Sequence, residues 1–454
     1  MRRQRGSVFV YSLAVLVALI GVLAAVASTE RVDVKAAANR KEKLKARMAC
    51  MAAIQRFIAV EANDLLGGGA TTTGGSSAST STTAQQTGAT TQQDSWALLG
   101  SNGDENVVVD DTSFRMQVLD ACSFVNLSQL IPTAQIGPGT TITSTNAPWL
   151  VNMPLSQQQV DAFVDFTTSG PNATADGGKD AYYNGLTNPY KAKEAPLDTL
   201  DELLQIRYFN AAAIYQPNTN IVSTVTYTAG SSGQQPTIYD LVTPYSYSPN
   251  MQPGPLGQQQ ARTRIALPIN AQNIAPYRTS GRFTAPGIAA LQRLTPGMRL
   301  SQIVNAMPSI QDKRAILDFY TVYTGTKVSG LINLNTASQN VIASMPGMTP
   351  DIAQALVQQQ QTGYTKLSDV LNVAGYTGNV LTQTIDHFCV QSSTFIVRVI
   401  GSCGSASVAM EATVDIISNK PRLIRIADVP FTDAIGRWNW NSTTSTETVL
   451  KEGS

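Results

Sequence analysis

Few side chains in this sequence are suited to acid–base, nucleophilic or metal chemistry, and their spacing decides what they can do. His387 is the one histidine. Imidazole is the side chain that titrates near neutrality. A single copy therefore removes multi-histidine metal centres and leaves one acid–base candidate. It lies between Asp386 and Phe388, a setting that reads as a structural histidine. The four cysteines, Cys50, Cys122, Cys389 and Cys403, include no Cys-x-x-Cys pair. Cys389 and Cys403 fall near the start of one strand and the end of the turn that follows it, and whether they bridge depends on geometry that spacing leaves open. Cys50 reads as packed on a helix. Gly177-Gly178-Lys179-Asp180 has neither the spacing of a phosphate-binding loop nor a Ser or Thr after its lysine. No Gly-x-Ser-x-Gly elbow is present. No catalytic residue is assigned, and the chain reads as a non-enzyme with no cofactor.

The elements that carry these residues are bounded by composition. The chain has 454 residues, 43% of them apolar and 14% charged, with a net charge of +1. At about 150 residues per domain there is room for roughly three domains or one elaborated one. The charged fraction is well below the roughly 25% of ordinary soluble domains. With no excess of either sign, there is no long-range field to gather nucleic acid or cations. Four cysteines at this length do not make a disulfide scaffold. A surface rich in Thr, Ser, Gln and Asn fits an exported protein.

The N-terminus is the most specific segment. Arg2, Arg3, Arg5 and Gly6 precede a stretch from Ser7 to Thr29 without a charged side chain. As a helix rising about 1.5 Å per residue, that stretch spans about 34 Å, enough for a hydrocarbon core of about 30 Å. The arginines hold the N-terminus in the cytoplasm and send the rest outward. A secretory signal cleaved after Ala25-Val26-Ala27 and a plain signal anchor are the alternatives that the residues leave open. From Arg31 to Leu66 there is no Pro or Gly. Leu44, Met51, Ile58 and Leu65 recur at heptad spacing, joined by Met48 and Ala62, and predict one apolar stripe. Arg40, Lys41, Lys43, Lys45, Arg47 and Arg56 take the other faces. One helix of about 60 residues is expected, half membrane-embedded and half amphipathic, and Gly67-Gly68-Gly69 ends it.

A short basic leader ending in Gly, an apolar segment and an amphipathic extension together resemble type IV pilin-like precursors. The resemblance implies that a prepilin peptidase cuts after Gly6 and that Ser7 becomes the N-methylated first residue. Most such subunits carry Glu at mature position five, paired with the terminal amine of a neighbouring subunit. An unpaired carboxylate in lipid costs about 3 kcal/mol. Here that position is Tyr11. The class without the Glu is the large minor pseudopilin of type II secretion, the K subunit, which caps the filament tip. Its leader also resembles the Arg-Gln-Arg-Gly of residues 3–6.

Further along, residues 67–95 are almost entirely Gly, Ala, Thr, Ser and Gln and read as a flexible linker. The alternation of Phe114-Arg115-Met116-Gln117-Val118-Leu119-Asp120 predicts a strand, with a turn at Ala121-Cys122 and a return over Ser123–Leu127. Residues 155–210 read as helical. Within them, Pro196–Ile206 should be a capped helix with Asp198 or Thr199 at its N-cap. Val222–Tyr227 and Arg264–Ile269 are candidate strands. Phe395–Ile400, Ser407–Ile416 and Arg422–Ile426 close a sheet. Segments at 112–127, 160–210 and 328–416 are similar to the K subunit. The resemblance implies calcium binding by acidic side chains in the first helical region, where Asp161, Asp165, Asp176 and Asp180 stand. The Asp-x-Asp-x-Asp-Gly spacing is absent, and by themselves these residues read as solvated loop acids.

Ser301–Pro308 echoes Ser338–Pro346 at an offset of about 37 residues, which predicts two similar helical hairpins. The second, with Ile332-Asn333-Leu334-Asn335-Thr336-Ala337 ahead of it, resembles the helix-hairpin-helix of DNA receptors as well as the K subunit. Phosphate binding needs Gly-x-Gly and basic side chains. Here the turn is Gly347-Met348-Thr349, and Lys366 is the only Lys or Arg from Leu331 to Phe388. A nucleic-acid site is therefore not expected.

These readings commit to an α+β fold. It comprises a leader at 1–6, a membrane and amphipathic helix at 7–66, a linker at 67–95, and the first part of a pilin-type antiparallel β domain at 96–154. A large inserted helical domain with helix-hairpin-helix-like repeats follows at 155–388, then closing strands at 389–430 and a flexible tail at 431–454. The expected function is that of a minor pseudopilin at or near the tip of a type II secretion pseudopilus. It would be single-pass in the inner membrane with its bulk periplasmic. Expected partners are other minor pseudopilins, the assembly platform, the prepilin peptidase and the membrane. The alternatives are a membrane-tethered DNA-uptake receptor using residues 331–376, a type IV pilus minor pilin, and a surface-anchored enzyme with an unrecognised site.

Overall fold

A computed structural model describes residues 5–65, 88–132, 137–170, 172–218, 220–229, 234–253, 259–417, 420–438, 440 and 446–449. Leader residues 1–4, linker residues 66–87 and most of the segment beyond 440 lie outside the described residues.

One helix runs from Arg5 to Leu65. Its first half has an exposed apolar surface from Phe9 to Val34, and the segment beginning at Phe9 is long and apolar enough to cross a membrane. Its second half lies across a six-stranded sheet. Strand order is Lys420–Val429, Ala406–Ile417, Thr394–Cys403, Thr112–Asp120, Glu105–Val109 and Thr446–Val449. All neighbours are antiparallel except the last pair. The alternation read at 114–120 and 407–416 is that of a sheet with one face buried under a helix. Phe114, Met116, Val118, Phe395, Val397 and Val399 point into this core with Trp96.

The helix does not use the expected stripe to make this contact. Its buried residues are Ala46, Ala49, Cys50, Ala53, Ile54 and Phe57, and Leu44 and Met48 remain 61% and 63% exposed on the opposite side. Close approach is the reason. A Cβ on Gly401 would stand 2.2 Å from the Ala46 carbonyl oxygen and 2.8 Å from the Cys50 sulfur, so small side chains are required where helix and strand touch. Polar contacts then pin the helix. Lys45 pairs with Asp111, Arg47 with Asp428 at 2.8 Å, and Glu42 accepts from the Ser405 N–H and hydroxyl at 3.0 Å. Lys45 and Arg47, expected to face solvent, serve this contact.

The chain leaves the sheet at Asp120 and rejoins it at Thr394. Everything between forms a second, larger core, which includes Val125, Leu127, Trp149 and Leu150. The insertion thus takes up residues 121–154, assigned above to the β domain. Val125-Asn126 does not return along the preceding strand; it pairs in parallel with Val242-Thr243. Pro196–Ile206 yields a single 3₁₀ helix at Leu200–Gln205, and Thr199 at its N-cap makes no side-chain capping bond. Of the candidate strands, 222–227 is irregular, and 264–269 gives only Thr263-Arg264, paired with Tyr320-Thr321.

The two hairpins exist as helices Leu300–Ala306 and Ile310–Phe319, and Gln339–Ala343 and Pro350–Gln360. They belong to a larger duplication. Thr263-Arg264 pairs in parallel with Tyr320-Thr321, and Ile332-Asn333 pairs in parallel with Phe388-Cys389. Four helical segments lie between the strands of the first pair and five between those of the second. The halves cap each other reciprocally. Asp386, near the end of the second half, accepts from the Ser301 N–H at 2.7 Å and its hydroxyl at 2.6 Å. Asp318, near the end of the first, accepts from the Ser368 N–H at 3.0 Å and its hydroxyl at 2.8 Å. Satisfying exposed N–H groups at a helix start is ordinary capping chemistry, here used between halves.

Residues 431–440 are not a free tail. Phe431–Arg437 is helical, and Ala434, Trp438 and Trp440 pack on the sheet face opposite the long helix, with Ile400 and Ala409. Linker residues 88–95 are also held: the Thr90 N–H donates to the Val390 carbonyl at 2.9 Å, and Trp96 enters the core. Large apolar rings supply enough burial to fix segments whose neighbours are polar.

Candidate functional site

Three places answer to the residues singled out by sequence, and a fourth was missed. Gly6 and Ser7 lie in the first turn of the long helix, and Tyr11 is 73% exposed on it.

The acidic group is not a solvated loop. Asp161 and Asp165 are buried on helix Gln157–Thr167, which opens with a Ser156–Gln159 capping box. The Asp161 carboxylate accepts from the Gln157 side-chain amide at 2.7 Å and the Asp176 N–H at 3.1 Å. The Asp165 carboxylate accepts from the Thr174 N–H at 3.0 Å. Asp180 accepts from the Ala192 N–H at 2.9 Å. The Asp176 side chain is exposed. Burial raises the Asp165 pKa, against the lowering pull of the Thr174 N–H and Lys179. Burial lowers the pKa of Lys179, which donates to the Thr168 carbonyl. These residues do not fit a calcium ion. The oxygens of Asp161 and Asp165 are engaged by N–H donors, Lys179 acts on Asp165, and no cluster of three metal-ligating side chains occurs among the described residues.

The hairpin turn at Gly347 has φ +77°, and a Cβ there would fall 1.6 Å from the Gln383 side-chain oxygen. Its backbone is packed on the helix Gly378–Thr384, where a phosphate-binding turn would need open N–H groups. His387 stacks edge-on against Trp149 with ring centroids 5.0 Å apart. Burial lowers its pKa. It belongs to the wall of an open groove of about 890 Å³ lined by Trp149, Asn152, Arg299, Gly347 and Asp386.

The feature missed is the neck between sheet and insertion. Asp120 ends its strand fully buried. Its carboxylate accepts from the Cys122 N–H at 2.7 Å, the Asn333 amide at 2.9 Å, the Thr336 hydroxyl at 2.6 Å and the Ser392 hydroxyl at 2.7 Å. Asn333 also donates to the Thr90 carbonyl at 3.1 Å. Asn335 clamps the Tyr364 backbone, accepting from its N–H at 2.7 Å and donating to its carbonyl at 2.9 Å. With Thr90 tied in through Asn333, two segments distant in sequence, 333–336 and 392, meet on one carboxylate. Burial raises its pKa while the hydrogen bonds oppose the rise. The sequence signal was an acid closing an alternating strand, together with the Asn-Leu-Asn motif; neither alone names its partner.

This buried lettering is also what the sequence comparisons detect. Residues 332–386 match the family described as "Type II secretion system (T2SS), protein K", and residues 150–222 match a second family of the same description. Two separate stretches of the chain are thus similar to protein K. They include the Asn335–Tyr364 clamp and the Asp161–Asp180 loop. The chain is also similar to a solved structure described as "The Crystal Structure of the GspK-GspI-GspJ complex from enterotoxigenic Escherichia coli Type 2 Secretion System". Identity there is 10% and the TM-score 0.43, over 86% of this chain and 98% of that one. No curated protein matches the chain.

Proposed function

We propose that this chain is a member of the protein K family, a minor pseudopilin that assembles at or near the tip of a type II secretion pseudopilus and supports protein export across the envelope. The observation that carries the reading is the distribution of bulk. The helix is exposed from Phe9 to Val34 and first meets the head at Glu42, and a sheet plus a large insertion sit at its far end. A head of that breadth hinders close axial stacking along a tight filament and suits an end position.

The helix stores the subunit in the inner membrane with the N-terminus cytoplasmic. Arg2, Arg3 and Arg5 flank the span on one side. They stand within a few residues of the start of the span, and arginines so placed favour the cytoplasmic side. A prepilin peptidase cuts after Gly6 and Ser7 is N-methylated. At a tip no subunit above offers an amine for a buried Glu, and Tyr11 is tolerated. Other minor pseudopilins and the assembly platform are the partners, and the work is assembly rather than catalysis.

The deciding experiment is the intact mass and N-terminal sequence of the mature protein. A methylated Ser7 is expected. A start at Ser28 or an unprocessed Met1 would sink the pilin-like reading.

A further inference from the structure

The neck holds two thiols. Cys122 lies on the way out of the sheet and Cys389 on the way back. Both are buried, in one small cluster with Val328 and Leu331. A single hydrogen-bonded circuit fixes their backbones: Cys389 pairs with Asn333 across a two-strand ladder, Asn333 donates to Asp120, and Asp120 caps the Cys122 N–H. Both are free thiols here; that of Cys122 donates to the Tyr247 carbonyl at 3.4 Å, with Cys389 its neighbour in the cluster. The other two cysteines lie at the contact between helix and sheet, where the Cys50 thiol donates to the Val408 carbonyl at 3.4 Å.

We propose that Cys122 and Cys389 are joined by a disulfide in the exported protein, forming a staple across the base of the insertion. The proposal rests on the reading above that the bulk of the chain lies outside the cytoplasm, where thiols are oxidised. The two thiols give up two protons and two electrons. The protein disulfide of a thiol oxidase takes them, through a mixed disulfide, and becomes a dithiol. Exchange must precede final docking, because the folded thiols are 0% and 5% exposed. Once formed, the bond is shielded from reductants by the same burial. It closes the whole insertion into one long loop, so it restricts the unfolded ensemble.

The test uses the full chain, made with its own leader and quenched with an alkylating agent under denaturing, non-reducing conditions. Peptide mass mapping is paired with protease digestion of spheroplasts. The expected result is a head cleaved from outside, a linked Cys122–Cys389 peptide, and Cys50 and Cys403 alkylated. Reductant should lower the denaturation midpoint of the wild type and leave that of the Cys122→Ser, Cys389→Ser double variant unmoved. An external head with four alkylated thiols, or with a bridge through Cys50 or Cys403, overturns the staple and leaves the function intact. A head protected from external protease overturns the topology, and the staple falls with it.

Discussion

Asp120 concentrates more structural work than any other side chain in the neck. Its two oxygens face four donors, one from its own turn and three from two other segments. Asp120→Asn turns an N–H₂ toward some of those donors and is expected to cost about 1–3 kcal/mol in a denaturant titration, the usual penalty for stranding buried polar groups. The pH dependence has a definite sign. The folded carboxyl has a pKa raised above 3.8 by burial, so the native state holds its proton more tightly than the unfolded chain. Its contribution to stability is full below 3.8 and is lost as pH rises through the folded pKa. The difference in stability between wild type and Asp120→Asn should therefore change across that window and flatten above it. A pH-independent difference would mean that Asp120 keeps an ordinary pKa. At this scale little is legible in the sequence: an acid at a strand end is common, and only the fold brings Thr336 and Ser392 to it.

Elements were legible where one period ran long enough. The long helix, the closing strands and the Met-Pro hairpins follow directly from spacing. The choice of helix face did not, because the heptad of large side chains competes with a small-residue face that only sheet contact explains. Gly401→Ala tests that contact. The added methyl meets main-chain carbonyl atoms of Ala46, so the helix must shift; a loss of about 1–3 kcal/mol, the usual cost of overpacking, is expected. Cys50, whose thiol burial pushes its pKa up to about 12, should become alkylatable in the native state. Unchanged protection of Cys50 would show that the helix adapts without leaving the sheet. The duplication was also seen only in part, as a short offset within it, because the matching strands carry too few residues to read. The reciprocal caps give a second test. Asp318→Asn and Asp386→Asn should each cost about 1 kcal/mol, as lost caps do, and additively, because the sites are separate. A strongly unequal pair would mean that the halves do not rely on each other equally.

At the scale of the whole molecule, the helix has two faces with different duties. Ala46, Cys50, Ala53 and Phe57 are spent on the head, while Leu44 and Met48 stay exposed on the far side with Met51 and Ile58 half-buried beside them. Met51 and Ile58 pack along the edge of the core, which leaves Leu44 and Met48 as the exposed apolar pair on an otherwise cationic stretch of helix. If this helix packs against other pseudopilins, that pair is the surface that does so, by the same i, i+4 logic that governs helix pairing. Leu44→Glu with Met48→Glu keeps good helix formers and touches nothing in the head, so its denaturation midpoint should stay within about 0.5 kcal/mol of wild type, as surface changes do. Co-purification with the other minor pseudopilins, and export of the secreted substrates, should fall together. Retained assembly with an intact head would show that the pair is idle, and that the partners bind through the sheet edge or the insertion instead.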